Sequence, residues 1–314
     1  MKKHRNALYC FAAISILIIS FTYSAATEQS AAPQKPLTVH FLNVGHADAT
    51  LIATPGGRHI LIDAAGGKKV SGGRNAVLSF LEKMGIRKLD TVVMSHADSD
   101  HIGGMPALLA SPIPIGELLD PGYPHTTRLY QDVLAAVKKR PGMKYIQPEP
   151  GQRLDWGKEL SVRVINSCRS GGTINDCSIV IHLRYGAVSL LFPGDVGKRA
   201  EKRMADRFGS GLRAQVLKVA HHGSKYSSSE RFIAAVRPEV AIISAPGDDP
   251  EGPWEEVVRR LRAAGAKVYQ TGRFGMITVT TDGRKYSVAT EKRPADEAEK
   301  PEAAMPAATA AVGL

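Results

Sequence analysis

The chain has 314 residues, 41 Lys and Arg against 30 Asp and Glu, and a formal net charge of +11. That length holds one sizeable α/β domain, on a soft prior of roughly 100–200 residues per domain. No run beyond the N-terminal segment reads as a transmembrane helix. The basic balance suits polyanions: nucleic acid, teichoic-type polymers or anionic lipid surfaces.

Met1-Lys2-Lys3-His4-Arg5, the apolar run Ala7 to Phe21 and the small residues Ser24-Ala25-Ala26 read as a signal peptide over 1–26. The apolar run is shorter than the roughly 20 residues of a spanning helix, which favours cleavage and export to the periplasm or beyond; uncleaved, it would be a membrane anchor. Cys10 lies early in that run, against lipid modification. Losing Lys2, Lys3 and Arg5 with the signal would leave +8. Residues 27–36 are Ala/Pro/Gln-rich and read as a linker, 37–290 as the domain, and the Ala/Pro/Glu-rich 291–314 as a disordered tail.

Within the domain, Leu37 to Ile52 and His59 to Asp63 pattern as a β-meander turning at Pro55-Gly56-Gly57-Arg58. Asp48 and Asp63 fall at strand ends, where an Asp also serves simply to cap a turn. Val77, Leu78, Leu81 and Met84 are spaced for one helical face over Arg74–Met84. The short β-branched run Thr91–Met94 reads as a buried strand, followed by helices over about 103–110 and 127–139, the latter stopped by Pro141-Gly142. Strands are expected at Leu160–Ile165, Ile179–Tyr185 and Val188–Phe192. A basic amphipathic helix spans Val196–Phe208, and a strand covers Val216–Ala220. Helix Glu230–Val236, strand Val240–Ser244, helix Trp254–Ala264 and a strand set from Lys267 to Val288 complete the domain. Mixed sheets packed face to face with helices outside fit this order better than a parallel βαβ series. The expected fold is a four-layer αββα sandwich.

The chemistry gathers after the strand at Thr91–Met94, in Ser95-His96-Ala97-Asp98-Ser99-Asp100-His101-Ile102-Gly103-Gly104. Neutral imidazole and carboxylate are ligands for zinc, manganese or iron, and four such groups in six residues call for a cation. The plain alternative is a solvated acidic loop with incidental histidines. Asp195 after Gly194 and the pair His221-His222 also end strands, and Asn175-x-x-Ser178 precedes the hairpin that leads to Asp195. Cys168 and Cys177, separated by a Gly-containing loop, read as a structural disulfide of an exported protein rather than a metal or redox pair.

These motifs resemble the metallo-β-lactamase superfamily, whose signature is His-x-[His/Asp]-x-Asp-His after a strand. More narrowly, Phe41 to Ala49, Ser95 to Gly104, Asn175-x-x-Ser178, Phe192-Pro193-Gly194-Asp195 and Leu217 to Ser224 are similar to the metallohydrolase domain of ComEC-type competence proteins, without their channel region. The resemblance implies two divalent metal ions, zinc or manganese, and no organic cofactor. His96 and Asp98 would hold one metal, and Asp100 and His101 the other. Asp195 would bridge them, and one of His221 and His222 would complete a shell while its neighbour assists the substrate or a ligand; the sequence leaves open which. Gly45-His46-Ala47-Asp48 departs from the subgroup's Gly-Gln-Gly-Asp, a later His-Pro is missing around Gly252-Pro253-Trp254, and Asn175-x-x-Ser178 stands where many superfamily members place a histidine.

The implied mechanism is attack on a phosphodiester by hydroxide held between two metals. Asp98, Asp195 and His222 are the catalytic candidates, and Lys218, Ser224 and Lys225 the candidate phosphate contacts. The expected function is an exported phosphodiesterase or nuclease acting on extracellular DNA, with a membrane-associated partner as a further expectation. The competing readings are hydrolysis of another ester such as surface phosphocholine, a β-lactamase, and a metal-stabilised binding module. Asp at position 98, rather than His, points away from lactamases.

Overall fold

Two mixed sheets stack face to face, each with its outer face against helices. The computed structural model describes residues 35–65, 75–168, 172–247 and 252–294, all within the unit Gln34–Leu314. The signal-peptide expectation lies outside them, as do most of the linker and of the tail. No helix among the described residues is long and apolar enough to cross a membrane.

The first sheet carries β1 (Leu37–Phe41), β2 (Thr50–Ala53), β3 (His59–Ile62), β4 (Leu89–Val93), β5 (Ile115–Leu119) and β6 (Lys144–Ile146), with β14 (Ile277–Thr281) and β15 (Tyr286–Thr290) on the other side of β1. The second holds β7 (Arg153–Leu154), β8 (Leu160–Asn166), β9 (Val180–Tyr185), β10 (Val188–Phe192), β11 (Val216–Lys218), β12 (Val240–Ile243) and β13 (Lys267–Gln270), side by side in chain order. The helices are α1 (Ala76–Lys83), α2 (Ser99–Ile102), α3 (Met105–Ala110), α4 (Arg128–Lys138), α5 (Lys198–Phe208), α6 (Glu230–Val236), α7 (Glu255–Ala263) and α8 (Thr271–Phe274). Each sheet is antiparallel on one flank and parallel on the other, β3 to β6 in the first and β10 to β13 in the second.

Alternation along the strands sorts the apolar side chains into three layers. Val39, Ile60, Val93, Ile181, Leu190 and their neighbours fill the space between the sheets. Leu61, Val92 and Leu118 face α1, α3 and α4 through Val77, Leu81, Leu108 and Val133. Val180, Leu191 and Leu217 face α5, α6 and α7 through Met204, Phe232 and Leu261. The four-layer αββα order expected from the sequence is therefore the observed one.

Local departures have local causes. The helix expected over about 103–110 is α3, which starts at Met105, while the His/Asp stretch expected as a loop forms the short α2, set off from α3 at Gly103-Gly104. A Cβ at Gly104 would lie 2.5 Å from the Ala64 carbonyl oxygen, so only glycine lets the chain pass there. Strands β5, β6 and β7 were not anticipated; β6 and β7 are short, and β6 presents mostly exposed side chains to the patterning. The stretch after Val219, read as a strand delivering the paired histidines, is a 3-10 turn over Ala220–Gly223.

The topology sets the site. β1, β3, β4, β10 and β11 all end at the same edge of the sandwich, since β3 and β4 are parallel, β10 and β11 are parallel, and β1 runs alongside β3 through the antiparallel β2. The chain segments leaving those strands carry Asp48, Asp63, the 96–101 cluster, Asp195 and His221-His222. The backbone N–H of Ile179 donates to the Ser95 carbonyl at 2.8 Å, tying one sheet's loop to the other's.

Candidate metal centre

Asp98 opens α2 as its N-cap residue, yet its side chain makes no capping bond. The carboxylate turns instead to His96, with Oδ2 3.4 Å from Nε2. His101, on the first turn of α2, is fully buried and held from behind. Its Nδ1 donates to Oδ2 of Asp63 at 2.8 Å. Asp63 also accepts from the Ser95 amide at 2.7 Å and the Ser95 hydroxyl at 2.8 Å. A carboxylate only accepts, so Nδ1 of His101 carries a proton and Nε2 faces the cleft, where a metal ion would replace any second proton. The Ser95 oxygen lies 3.1 Å from Nδ1 of His96 and orients that ring the same way. Asp63 adopts φ 60°, a left-handed conformation that non-glycine residues keep only when the surroundings enforce it.

The second sheet supplies the opposing wall. Gly194 has φ +57°, and a Cβ there would lie 2.8 Å from Cβ of Ser178. That close approach lets the Ser178 hydroxyl accept the Asp195 amide at 3.1 Å while donating to the Asn175 carbonyl at 2.8 Å. Asn175-x-x-Ser178 thus sets the backbone of Asp195. Next to it, Cys177 is disulfide-bonded to Cys168. The Asp195 carboxylate stands at the centre of the group. Oδ1 is 3.3 Å from Nε2 of His101, and Oδ2 is 3.6 Å from Nε2 of His222 and 3.9 Å from those of His96 and His221.

His221 and His222 both have φ 52°, at a cost of about 1–2 kcal/mol each for an L-residue. The turn points the two rings to different places. His222 is buried, its Nδ1 donates to the Ser244 carbonyl at 2.7 Å, and its Nε2 lies 3.2 Å from Asp100. The His221 side chain is 31% exposed and sits on the solvent side of Asp195.

Two sets of donor atoms each lie within 4.8 Å of one another: Asp48, His101, Asp195 and His222, and His46, Asp100 and His222. Burial pushes the His101 proton off, but the carboxylates of Asp195 and Asp63 hold its pKa well above the imidazole value. Burial likewise opposes charge on Asp195, and His101 and His222 keep it well below the carboxylate range. For Asp48, burial is outweighed by Lys218, His222 and His101, and its pKa is lowered. Burial lowers His221, helped by His222, His96 and His101 and opposed by Asp195. Nε2 of His96, His101 and His222 and Oδ1 of Asp195 are buried with no hydrogen-bond partner. Unpaired buried donors and acceptors are costly, and a divalent cation answers three imidazole lone pairs and a carboxylate at once. The residues fit the metal.

The structure brings His96, Asp98, Asp100, His101, Asp195 and His222 together, with His221 at the rim. Lys218 is a correction: it was expected to reach substrate phosphate, but it is 4% exposed and its ammonium closes on Asp48 in an ion pair. Ser224 continues the 3-10 turn, its amide donating to the His221 carbonyl at 2.7 Å. Lys225 lies over the Trp254 ring at 4.1 Å and the Tyr226 ring at 5.3 Å. Trp254 itself is tied to the site, donating its amide to the Gly223 carbonyl at 3.1 Å. Three residues absent from the expected site belong to it: Asp63 behind His101, Asp48 with a buried carboxylate, and His46, whose ring lies 4.5 Å from that of His222. His46 and Asp48 carried a signal, because they stand in the motif that departs from the subgroup pattern.

The model of the metallo-β-lactamase superfamily matches residues 42–247. The chain is 29% identical over 260 residues to ComE operon protein 3 of Bacillus subtilis, covering 76% of this chain and 32% of that protein. It is 31% identical over 280 residues to Recombination protein 2 of Haemophilus influenzae, covering 87% and 32%. It therefore spans about a third of the length of these curated relatives. Among solved structures, CmlA, a diiron β-hydroxylase from Streptomyces venezuelae, superposes with a TM-score of 0.53 at 14% identity, over 79% of this chain and 55% of that one; this shows likeness of fold. With the αββα sandwich and the His/Asp cluster at its edge, the chain belongs to the metallo-β-lactamase superfamily and is a metal-dependent hydrolase.

Proposed function

We propose that this chain is an exported phosphodiesterase of the ComEC-like type, and specifically a nuclease acting on DNA outside the cytoplasm. The observation that carries this reading is the juxtaposition of the His/Asp centre with Lys225, Tyr226 and Trp254. Tyr226 and Trp254 are 65% and 40% exposed, Lys225 lies over both rings, and Trp254 is bonded to Gly223, which directly follows His221-His222 in the chain. An ammonium for phosphate and aromatic faces for bases are what a nucleic-acid strand requires next to its scissile bond. The net charge, +8 once Lys2, Lys3 and Arg5 leave with the signal, and the likeness to a protein named for recombination support the same substrate. Export is supported by the basic start and apolar run of the first 26 residues and by the Cys168–Cys177 bond, which suits an oxidising compartment.

In this proposal His96 and Asp98 would hold one metal, Asp100 and His101 the other, and Asp195 would join the ligands. His222 joins the ligands, because it is the buried member of the pair, and His221 takes the solvent-facing catalytic role. Bound zinc or manganese supplies a Lewis acid and brings the pKa of water towards about 7. Asp98, half-exposed, orients the attacking water and accepts its proton. His221, kept neutral by burial, donates a hydrogen bond to the phosphate oxygen as charge develops. Lys225 holds the neighbouring phosphate, and Trp254 fixes the adjoining base.

The test is an activity panel on metal-loaded protein: a chromogenic phosphodiester, linear DNA and a chromogenic cephalosporin. The expected result is turnover of the first two, abolished in Asp100→Ala. Cephalosporin hydrolysis alone, or inertness with every metal, would overturn the proposal; phosphodiester turnover without DNA cleavage would narrow it to a small-ester hydrolase.

A further inference from the structure

The outer face of the second sheet is covered by helices over only part of its length. Ile165, Val180 and Leu191 point into the apolar layer under α5 and α6. Two residues further from the metal centre on the same strands and the same face, the side chains become Arg163, His182 and Ser189. There the sheet is bare, and it floors a cleft of about 790 Å³.

Arg153, Arg163, Arg184 and Arg213 line this cleft, and no carboxylate does. The strand register sets like charges against each other. Arg153 faces Arg163, and Arg163 faces His182, as direct cross-strand partners. Facing like charges destabilise a sheet. Elsewhere on this protein exposed guanidinium groups find carboxylates, as in Arg58 with Asp155, Arg128 with Asp132 and Arg231 with Asp206. Among the described residues, none of the four cleft guanidinium groups has an ion-pair or hydrogen-bond partner. His182 is fixed among them by the Arg213 carbonyl at 2.9 Å. Burial, and then Arg184 and Arg163, lower its pKa, so the ring adds little to the repulsion.

The cleft is connected to the metal centre by α5. That helix begins three residues after Asp195 and ends at the 3-10 turn Gly209–Leu212, whose Ser210 and Gly211 form the cleft rim. Eleven residues span about 16 Å at roughly 1.5 Å each. Exposed Lys198, Arg199 and Arg207 lie along the way; of the helix's two acids, Glu201 is buried against the Ser228 and Ser229 amides and the exposed Asp206 is paired with Lys202 and Arg231. A basic track therefore runs from the loop of Asp195 to the arginine cleft.

We infer that the arginine cleft is a nucleic-acid exosite, which grips the phosphodiester backbone of a DNA strand at a distance from the scissile bond and without reading its bases. The inference rests on the proposed nuclease activity and adds to it where the rest of the strand lies. A substrate of this kind gains affinity from phosphates that never meet the metal, so long DNA is preferred over short oligonucleotides.

The test compares the full chain with Arg163→Glu/Arg184→Glu, and with Arg163→Gln/Arg184→Gln in case charge reversal disturbs folding. DNA affinity is read by fluorescence anisotropy in an Asp100→Ala background across a salt series. Each lost phosphate contact should flatten the log–log salt slope by about 0.9 on duplex DNA or 0.7 on single strands. The double variants are thus expected to lose about 1.8 from the slope on duplex DNA, or about 1.4 on single strands, and at least tenfold in affinity. With Asp100 intact, turnover of a small chromogenic phosphodiester should be unchanged. Unaltered DNA affinity and slope overturn the inference, as does binding of anionic phosphatidylserine vesicles in place of DNA. Failure of the nuclease proposal looks different: the small phosphodiester is then inert with every metal, whatever the arginine variants do.

Discussion

Asp63 shows how far a side chain that touches no substrate governs those that do. It accepts from the Ser95 amide, the Ser95 hydroxyl and the His101 ring, and so fixes the tautomer that leaves Nε2 of His101 open. Replacing such an orienting group costs about 10–100-fold in metal affinity. Asp63→Asn is expected to fall in that range in a competition with a calibrated chelator, with the far-ultraviolet circular dichroism preserved. Nothing in the sequence distinguished Asp63 from a turn-capping aspartate, because its partner Ser95 is 32 positions away. The paired histidines divide similarly. His222→Ala should lose bound metal on gel filtration. His221→Ala should keep the metal and lose about 10²–10³-fold in kcat, the usual worth of a hydrogen-bond donor to developing charge. Equal metal loss in both variants would contradict this division of roles.

Among the elements, the turn from Cys168 to Ser178 links stability to site geometry. Closing a loop of about ten residues stabilises a fold by roughly 2.5–3 kcal/mol in the chain-entropy account, so Cys168→Ser is expected to lower the urea-unfolding free energy by about that amount. The outer strand face makes a pH prediction. His182 on β9 has its pKa lowered in the fold, with Arg163 of β8, Arg184 of its own strand and the Arg213 carbonyl as its surroundings. The unfolded chain therefore binds the proton more readily. The His182 contribution is complete above the unfolded value near 6.5 and is lost as pH falls through the lower folded value. His182→Gln should remove that part of the pH dependence from denaturation curves recorded between about pH 7.5 and 5.

The legibility of these elements followed their patterning. Val188–Phe192 and Thr91–Val93 are short, apolar and β-branched or followed by ligand residues, and each could be read from the chain. Lys144–Ile146 and Arg153–Leu154 lie at sheet edges with exposed side chains and carry no such signature. Lys218 misled for a different reason. It alternates along β11 onto the site side, but only the fold shows that Asp48 fills the space where a phosphate would go.

At the scale of the molecule, the candidate ligands come from both halves of the chain, Asp48 to His101 from the first sheet's loops and Asp195 to His222 from the second's. A bound ion is then a clip between two stacked sheets. Free ion at a thousandfold over its Kd stabilises by about 4 kcal/mol, which for a domain of this size is roughly 8–16 °C in Tm. Adding EDTA to the loaded protein is expected to lower Tm by such an amount, and excess zinc to restore it. A Tm indifferent to chelation would place the ion outside the inter-sheet cluster. The fold class was legible because the order of strands and helices constrains layers. Which outer faces remain bare was not, since that depends on where α5 and α6 lie across the second sheet.

The Cys168–Cys177 bond adjoins the serine that receives the Asp195 amide, so the oxidation state of the surroundings reaches the metal centre through one residue. In reducing solution that staple is lost, and Ser178 rests on its own bonds to the Asn175 carbonyl. On the proposed reading, the segment that fixes the Asp195 backbone gains its covalent staple only in the oxidising compartment where the substrate lies.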